Sequence, residues 1–374
     1  MALVTLIRSI GLLALIICGT AIGVGKLAPP PAHSSVRLRT GTTQAGVNGV
    51  LFPGGDRSAR LVDAENGSIR RLETGRDDRI EHLSVSPWTD AESHQQAVGR
   101  WFHREGDSTQ LVPQGIGLAR VELPSGRLLD RIETRMAPVA PPCWSPGLEA
   151  RVIFAAGDGR LYRYAFEKAD SPYSTSDEKP VALTWRCKVP GEGDVYLAEP
   201  TRPTHPQWKG KLLVSLNTQI MTDGLPKMSV GQIWWLKLND AETEIVAAGL
   251  VTGANEKNQL ERCPTVVGSP SNPALAYVSP GQNGRRWQLR VAPVEFLGEE
   301  GAPVARTARS VVLATDCAPA PPAVSSDGLR LTFLVRPETN NASHQCVNLA
   351  GVLKPEAASL LAELNHPGVR PESR

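Results

Sequence analysis

The chain carries almost no surplus of charge of either sign. Its 374 residues include 40 Lys and Arg against 38 Asp and Glu, which gives a formal net charge of +2. Proteins that bind nucleic acids or anionic lipids usually show a clear basic surplus, so nucleic acid is not an expected partner. The 41% of hydrophobic residues instead predicts a folded protein with a sizeable core.

Motifs that mark catalysis or cofactor binding are also missing. The sequence has no Gly-x-Ser-x-Gly nucleophile elbow, no Cys-x-x-Cys-His haem attachment site and no adjacent cysteine pair. The seven histidines show neither His-x-His nor His-Glu-x-x-His spacing. No catalytic residue, metal ligand or cofactor is assigned from these patterns.

Cysteine is too sparse for a disulfide framework. Of six cysteines, Cys18 lies in an apolar N-terminal run, which leaves an odd number without Cys-x-x-Cys spacing. A domain of about 300 residues does not need covalent cross-links to fold. The remaining cysteines are therefore predicted to be small buried thiols.

A long apolar run occurs at residues 10–24, between Arg8 and Lys26. Its length of about 15 residues suits a signal peptide, while an extension over residues 1–27 approaches the roughly 20 that a membrane-spanning helix needs. Cleaved and uncleaved forms both stay open. The protein is predicted to be exported, and to be either periplasmic or anchored to the membrane by its N-terminus.

Glycine and proline, at 34 and 31 residues, exceed average usage and favour many turns and short strands. One sequence pattern recurs along the chain. It consists of a proline-rich stretch, an apolar strand, a tight turn and an aromatic strand. In one copy, residues 142–147 precede the strand at 151–155, the turn Gly157-Asp158-Gly159 and the strand at 161–164. This order predicts repeated β-hairpins.

The repeat has a period of 54 to 63 residues, measured between the equivalent positions Val98, Val152, Leu212, Leu275 and Leu331. An earlier copy begins near Val50, and a further β-rich stretch closes most copies. Four strands per repeat at regular spacing are typical of a β-propeller. The predicted fold is all-β: a single propeller of about six four-stranded blades, with seven possible, behind an N-terminal hydrophobic helix.

The last copy lacks a fourth strand, and residues 36–40 are predicted to supply it. This pairing would close the ring and remove a free sheet edge. The resulting boundaries are a signal peptide or anchor at 1–27, a proline-rich linker at 28–35, the propeller at 36–352 and a C-terminal helix or tail at 353–374.

The eight tryptophans have two possible roles, carbohydrate stacking or packing between blades. Trp234 and Trp235 are adjacent, so in a strand they point to opposite faces of the sheet. This arrangement favours packing between blades.

The motif Ser-Ser-Asp-Gly-Leu-Arg-Leu-Thr-Phe at residues 325–333 resembles the Ser-Pro-Asp-Gly repeats of bacterial WD40-like and TolB-like propellers. The resemblance implies a propeller and the binding of a protein or ligand on one propeller face. It transfers no functional residue.

Ligands of propellers approach one end of the central channel, so the loops that lead into the inner strands are the candidate site. These loops are residues 135–138, 199–203, 261–264 and 316–319. They are predicted to bring six charged side chains towards one rim: Arg135, Glu199, Arg202, Glu261, Arg262 and Asp316. Mutual ion pairs that hold the blades together are an equally good explanation of this mixed charge.

The fold and the missing motifs favour a non-enzymatic, extracytoplasmic binding or scaffold propeller that engages a protein or envelope ligand through one face. It is expected to be monomeric, to need no cofactor, and to touch the membrane through its N-terminus if that segment is uncleaved. The alternative is a propeller enzyme, either a quinoprotein-like oxidoreductase or a polysaccharide lyase or hydrolase. In that case Glu199, Glu261 and Asp316 would be the catalytic candidates.

Overall fold

The computed structural model describes most of the chain in separate ranges. These are residues 33–34, 49–53, 59–63, 69–72, 78–89, 95–103, 115–123, 127–145, 150–166, 179–190, 194–203, 206–222, 225–252, 260–281, 286–298, 301–325, 328–335 and 343–353. Within them the helical elements are two single 3-10 turns, Pro206–Trp208 and Thr307–Arg309. A search of these ranges for an apolar helix of membrane-spanning length finds none. The predicted export segment and the predicted C-terminal helix after residue 353 lie outside them.

Twenty-five strands are formed by the residues that the structure describes. The first, β1 (His33–Ser34), pairs with the end of the chain, as described below. The next seven strands form two antiparallel sheets in which sequence neighbours pair. The first sheet contains β2 (Gly49–Pro53), β3 (Ala59–Asp63) and β4 (Ile69–Leu72). The second contains β5 (Asp78–Thr89), β6 (Gln95–His103), β7 (Gly115–Leu123) and β8 (Leu128–Glu133).

The third and fourth sheets continue the same up-and-down order. The third contains β9 (Cys143–Trp144), β10 (Arg151–Ala155), β11 (Leu161–Ala165) and β12 (Val181–Ala182). A short strand, β13 (Thr184–Trp185), then crosses to the fourth sheet and pairs in parallel with its outermost strand. That fourth sheet contains β14 (Asp194–Thr201), β15 (Lys211–Thr222), β16 (Leu225–Leu238) and β17 (Glu244–Leu250).

The remaining strands form one nine-stranded sheet together with β1. Its first part contains β18 (Arg262–Ser269), β19 (Asn272–Pro280), β20 (Trp287–Leu297), β21 (Ala302–Ala305) and β22 (Val311–Cys317). Its second part contains β23 (Ala323–Val324), β24 (Arg330–Val335) and β25 (Ser343–Asn348).

The described strands thus form five sheets, so the molecule is a propeller of five blades where about six were predicted. The predicted all-β propeller class is confirmed. The count differs because Cys317 of β22 pairs with Val335 of β24, and this one pair joins the fifth and sixth repeats into a single sheet. The number of strands also varies among blades, since the first has three and the fourth has five.

The N-terminal strand pairs with the last strand of the chain. His33 lies opposite Val347, and Ser34 lies opposite Cys346. Pairing between the two ends of the chain covers an edge of β25 that would otherwise be open to other strands. The paired residues fall in the predicted linker, while the predicted closing strand at 36–40 lies outside the described residues.

Two of the hydrophobic cores lie on either side of the fourth blade, between it and its neighbours. In β15, Leu212 and Val214 pack in a cluster with Ile153 of the third blade, while Leu213 packs in another cluster with Leu275 of the fifth. Alternate side chains of one strand point to opposite faces, so the fourth blade contributes to both cores.

The adjacent tryptophans follow the same alternation. Trp235 is buried in the cluster between the fourth and fifth blades. Trp234 is half-buried against the cluster between the third and fourth blades. Packing between blades, as the sequence favoured, is the role of both side chains.

Candidate functional site

The two ends of the blades carry different candidate residues. Successive strands of an up-and-down blade run in opposite directions. The start of the first strand and the turn between the second and third strands therefore lie at the same end of the blade. We call this the near end, and it carries Arg135, Glu261 and Asp316, which stand before β9, β18 and β23. The turns after the first and third strands lie at the opposite, far end.

The structure does not place all six predicted rim residues at one end. Arg202 lies at the far end because it follows the first strand of its blade, β14. Glu199 lies inside β14, and Arg262 is the first residue of β18. Of the six, Glu199 and Arg262 are in direct contact.

Glu199 is the centre of a hydrogen-bonded cluster between the fourth and fifth blades. Arg262 Nη2 donates to Glu199 Oε1 at 2.6 Å. Ser215 Oγ donates to Glu199 Oε2 at 2.6 Å, and the backbone N–H of Cys263 donates to the same oxygen at 2.7 Å. We call Glu199, Ser215, Arg262 and Cys263 the Glu199 cluster. Because three donors point at its carboxyl oxygens, Glu199 acts there as an acceptor with a fixed orientation.

Arg262 is the member of the cluster that reaches solvent. The side chain of Glu199 is 4% exposed, whereas that of Arg262 is 35% exposed. Burial lowers the pKa of Arg262 and the charge of Glu199 raises it, and the net change is upward. The guanidinium is therefore a permanent positive charge, held by a buried carboxylate and open to solvent on one side.

Cys263 cannot serve as a nucleophile in this cluster. The residue is buried, and burial together with the charge of Glu199 raises the pKa of its thiol well above the usual value. Nucleophilic cysteines need an accessible thiolate. The chemistry available to the cluster is that of its carboxyl and guanidinium groups.

Three residues in the predicted rim loops have a left-handed backbone. They are Glu199 with φ 53°, Cys263 with φ 57° and Asp316 with φ 68°. The register shifts between Ala198 and Thr201 of β14 and between Arg262 and Thr265 of β18, and it also shifts between β20 and β22 where Asp316 lies. Each of the three therefore lies in a β-bulge, which re-aims the local side chains. Left-handed non-glycine residues cost roughly 1–3 kcal/mol each and concentrate at functional sites.

The other near-end candidates have different surroundings. Glu261 is 2% exposed, and its backbone N–H donates to the carbonyl oxygen of Gly231 at 3.0 Å. Asp316 is half-buried and Arg135 is exposed.

Near Arg135, the hydroxyl of Tyr162 donates to Asp158 Oδ2 at 2.6 Å, and this hydrogen bond raises the pKa of Tyr162.

The turn that carries Asp158 is a hairpin turn between β10 and β11, as predicted. Gly159 has φ 78°, and a Cβ at this position would lie 2.5 Å from Cδ1 of Tyr196 in the fourth blade. The backbone N–H of Leu197 also donates to the carbonyl oxygen of Gly159 at 2.8 Å. The turn thus joins the third and fourth blades.

Arg202 takes part in a second cluster, between the third and fourth blades. Arg202 Nη2 donates to Glu242 Oε1 at 2.6 Å, and Ser145 Oγ donates to Glu242 Oε2. Arg151 Nη1 lies 3.8 Å from Glu242 Oε2. We call these four residues the Glu242 cluster. Glu242 is buried with φ 54°, so its backbone and burial resemble those of Glu199 although it lies at the far end.

Both clusters contain ion pairs between blades, which was one of the two explanations offered for the mixed charge. The sequence had not suggested Ser145, Ser215 or Glu242. A Glu in a turn after an Asn-Asp-Ala stretch carries no signal of its own, because its partners Ser145 and Arg202 are distant in the sequence.

The described cysteines are free thiols: Cys143, Cys263 and Cys317 are buried, and Cys187 and Cys346 are half-buried. Among the described residues, no group of three or more His, Cys, Asp or Glu could hold a metal ion.

No protein-family model and no curated protein matches the sequence. Solved structures do resemble it. An endo-1,4-β-xylanase from Bacteroides thetaiotaomicron is 11% identical, covers 72% of this chain and 90% of its own, and has a TM-score of 0.40. The xyloglucan-locus GH43B protein of Bacteroides ovatus is 12% identical, covers 74% of this chain and 54% of its own, and has a TM-score of 0.39. A xylan β-1,4-xylosidase from Bacillus halodurans is 12% identical, covers 74% of this chain and 54% of its own, and has a TM-score of 0.36.

These neighbours correct the expected function. All three are named as glycoside-processing proteins, and the expectation of a non-enzymatic binding or scaffold propeller is contradicted. They do not support a WD40-like or TolB-like type, and only the propeller part of that resemblance is confirmed. At such identities the likeness concerns the fold, so it transfers no residue to this chain.

Proposed function

We propose that the protein is a glycoside hydrolase that acts on a polysaccharide outside the cytoplasm. The observation that carries the proposal is the proximity of two buried carboxyl residues, Glu199 on the inner strand of the fourth blade and Glu261 just before the inner strand of the fifth. Glu199 is 4% exposed and Glu261 is 2% exposed. Arg262 follows Glu261 directly and contacts Glu199 at 2.6 Å, so the two carboxyl-bearing residues lie next to each other. The apolar run at residues 10–24 supports export.

Hydrolysis of a glycosidic bond needs two carboxyl groups in different environments, one that donates a proton and one that accepts one. We assign these roles to Glu261 and Asp316, which stand at the near end, Glu261 just before β18 and Asp316 near the end of β22. Their surroundings differ, since Glu261 is buried and Asp316 is half-buried. The bulge at Asp316 supplies the re-aimed backbone that such a role requires.

Glu199 has a positioning role in this proposal. Its oxygens are occupied by Arg262, Ser215 and the backbone of Cys263, so it holds the guanidinium of Arg262 in place. The exposed side of Arg262 is then available to a substrate hydroxyl or to the charge that develops during bond cleavage. Acid–base hydrolysis uses carboxyl groups to transfer protons and can use a guanidinium group to stabilise negative charge. Among the enzymatic alternatives, these side chains therefore fit a hydrolase better than an oxidoreductase.

The test is an assay of the full-length protein for release of reducing ends from a panel of xylans, arabinans, galactans and bacterial envelope glycans. Glu261→Gln and Asp316→Asn are each expected to lower kcat by about 10²-fold or more, as loss of a general acid or base does. Glu242→Gln is the matched control. It removes a charge from a buried, Arg-paired residue with positive φ at the far end, and it should leave kcat of the folded fraction within a few-fold of the parent.

Two results would overturn the proposal. One is the absence of cleavage of every glycan by the folded parent protein. The other is a loss of activity in Glu242→Gln as large as in Glu261→Gln, because the effect would then come from the structure of the blades.

A further inference from the structure

β1 lies at the edge of the nine-stranded sheet, beside β25. The two strands are antiparallel, with His33 opposite Val347 and Ser34 opposite Cys346. Antiparallel strands run in opposite directions, so His33 lies on the side where β25 ends. The residues before His33 therefore leave the sheet at the end of the blade where β25 finishes.

β25 finishes at the far end. After it, the backbone N–H of Leu349 donates to the carbonyl oxygen of Leu329 at 2.6 Å, and the carbonyl oxygen of Leu353 accepts a hydrogen bond from Asn272 Nδ2. Leu329 lies in the turn from β23 to β24, and Asn272 is the first residue of β19. Both positions directly follow the first strand of a repeat, which places them at the far end. The chain consequently enters β1 from the far end.

The carboxyl residue Glu261 lies at the opposite end of the same sheet. It stands just before β18, which has eight residues. At a rise of about 3.3 Å per residue, the near and far ends of this sheet are separated by about 25 Å. Strand direction alone therefore puts Glu261 and the entry of the chain at opposite ends.

The sequence before β1 contains the apolar run at residues 10–24. Eight residues, 25–32, separate this run from His33, and residues 29–31 among them are three consecutive prolines. Eight residues span at most about 30 Å when fully extended, and proline-rich segments act as semi-rigid spacers. Embedding of the run in a bilayer would thus keep the far end within about 30 Å of the membrane.

We infer that residues 10–24 remain in the membrane and hold the far end of the propeller towards the lipid bilayer, so that the near end faces away from it. Because the tether joins the far end, the near end can meet the lipid only when the tether is fully extended and the propeller is turned over. Glu261 then lies about 25 Å or more from the bilayer surface, whereas the headgroup layer of one leaflet is about 5–8 Å thick. The near end therefore stands clear of the headgroups.

For the proposed hydrolase function, on which this step rests, the orientation restricts the substrate. The sugar headgroup of a membrane glycolipid stays in the headgroup layer and would not reach Glu261. A polysaccharide that is free of the bilayer would reach it. The substrate class that fits is a polysaccharide outside the membrane.

The experiment measures which end of the full-length protein is closer to the lipid in phosphatidylcholine vesicles. A donor fluorophore is attached to a single introduced cysteine, and an acceptor is carried by the lipid headgroups. The far-end position is Leu297→Cys, at the end of β20, and the near-end position is Met136→Cys; both side chains are exposed, at 45% and 37%. Cys18, Cys187 and Cys346 are changed to Ser in both proteins, and a variant with these three changes alone gives the background signal.

We expect energy transfer to the lipid to be about twofold or more stronger from residue 297 than from residue 136, because the two ends differ in height by about 25 Å. Deletion of residues 1–30 removes the apolar run and keeps β1. This control should lose co-flotation with the vesicles and energy transfer from both positions. Thermal melting of each variant checks that it is folded.

Several results would overturn the inference. Equal transfer from the two positions, or stronger transfer from residue 136, contradicts the orientation. Co-flotation of the deletion variant at the level of the full-length protein shows that another surface holds the membrane. A mature N-terminus after residue 24, found by mass spectrometry of the protein purified from cells that export it, shows that the run is removed.

These readouts do not use glycan cleavage, so they stand apart from the test of the hydrolase function. A protein that is oriented as expected and cleaves no glycan overturns the hydrolase proposal alone. An active protein that cleaves a glycolipid in the same vesicles as fast as a soluble polysaccharide overturns the restriction on the substrate.

Discussion

Gly328 shows at the scale of a single residue how the two parts of the nine-stranded sheet can approach each other closely. It has φ 73°, and a Cβ there would lie 2.2 Å from the carbonyl oxygen of Gly268. The backbone N–H of Gly268 donates to the carbonyl oxygen of Gly328 at 2.8 Å. Gly328, the glycine of the Ser-Ser-Asp-Gly motif, is thus needed both because it adopts a positive φ and because it has no side chain to clash with Gly268.

Replacement of Gly328 by Ala is expected to lower the free energy of unfolding by about 3 kcal/mol or more, since backbone strain and a clash with fixed backbone add together. Gly210→Ala is the control. Gly210 has φ 75° with nothing within 4 Å of the added Cβ, so it isolates the strain at about 1 kcal/mol. Urea denaturation of the two variants measures both values. Equal losses would show that the contact with Gly268 does not matter.

The buried thiols give a prediction about pH. Burial raises the pKa of Cys143 to about 12 and that of Cys317 to about 11, and the pKa of Cys263 is also raised. A raised pKa means that these thiols stay protonated at pH 8 and gain reactivity only as the pH approaches the raised value. Iodoacetamide at pH 8 should therefore label the half-buried Cys187 and Cys346 of the folded protein first, as followed by peptide mass spectrometry. Equally fast labelling of Cys263 would contradict this assignment.

At the scale of elements, the Glu199 cluster links the inner strand of the fourth blade to that of the fifth. Removal of Arg262 would leave the carboxylate of Glu199 buried without its charged partner. Loss of one partner from a fully buried pair costs about 3–5 kcal/mol. Because Arg262 is 35% exposed, solvent screening reduces the expected cost to about 2 kcal/mol.

Arg262→Met should accordingly destabilise the protein by about 2 kcal/mol, and the double variant Glu199→Gln with Arg262→Met should recover part of that loss. Chemical denaturation of the parent, the two single variants and the double variant gives the coupling energy. Additive losses without recovery would mean that the pair does not interact in solution. Measurement at high salt serves as a control, because a partly buried pair is screened less than a surface pair.

At the scale of the whole molecule, the pairing of β1 with β25 joins the first and the last of the described strands. Deletion of residues 1–34 removes this strand, whereas deletion of residues 1–30 keeps His33 and Ser34. The longer deletion is expected to lower Tm by about 5 °C relative to the shorter one, because a loss of 1–2 kcal/mol shifts Tm by about 2–4 °C per kcal/mol in proteins of this size. It should also increase aggregation, since the edge of β25 becomes available to other chains.

Differential scanning fluorimetry and size-exclusion chromatography of the two deletion variants check this expectation. If both variants melt at the same temperature and elute alike from the column, β1 contributes nothing to stability.

Particular residues show how far the sequence could predict this structure. The five positions that define the period, Val98, Val152, Leu212, Leu275 and Leu331, are all fully buried, because burial imposes an apolar pattern that local sequence records. The Gly157-Asp158-Gly159 turn was predictable for the same local reason. The partners of the charged residues were not. Arg202 and Glu242 are 40 positions apart, and no local pattern identifies which of many carboxyl groups an arginine will meet.

The sequence by itself determined that the chain forms a β-propeller, because alternating apolar residues and regularly spaced turns permit few other ways to bury the strands. Tertiary structure alone decided how many blades there are, since one residue pair between β22 and β24 merges two repeats into one sheet. It also decided which charged residues share one end of the blades. Glu261 and Asp316 share the near end and Arg202 lies at the far end because the direction of each strand, which depends on its pairing, determines where the following loop emerges.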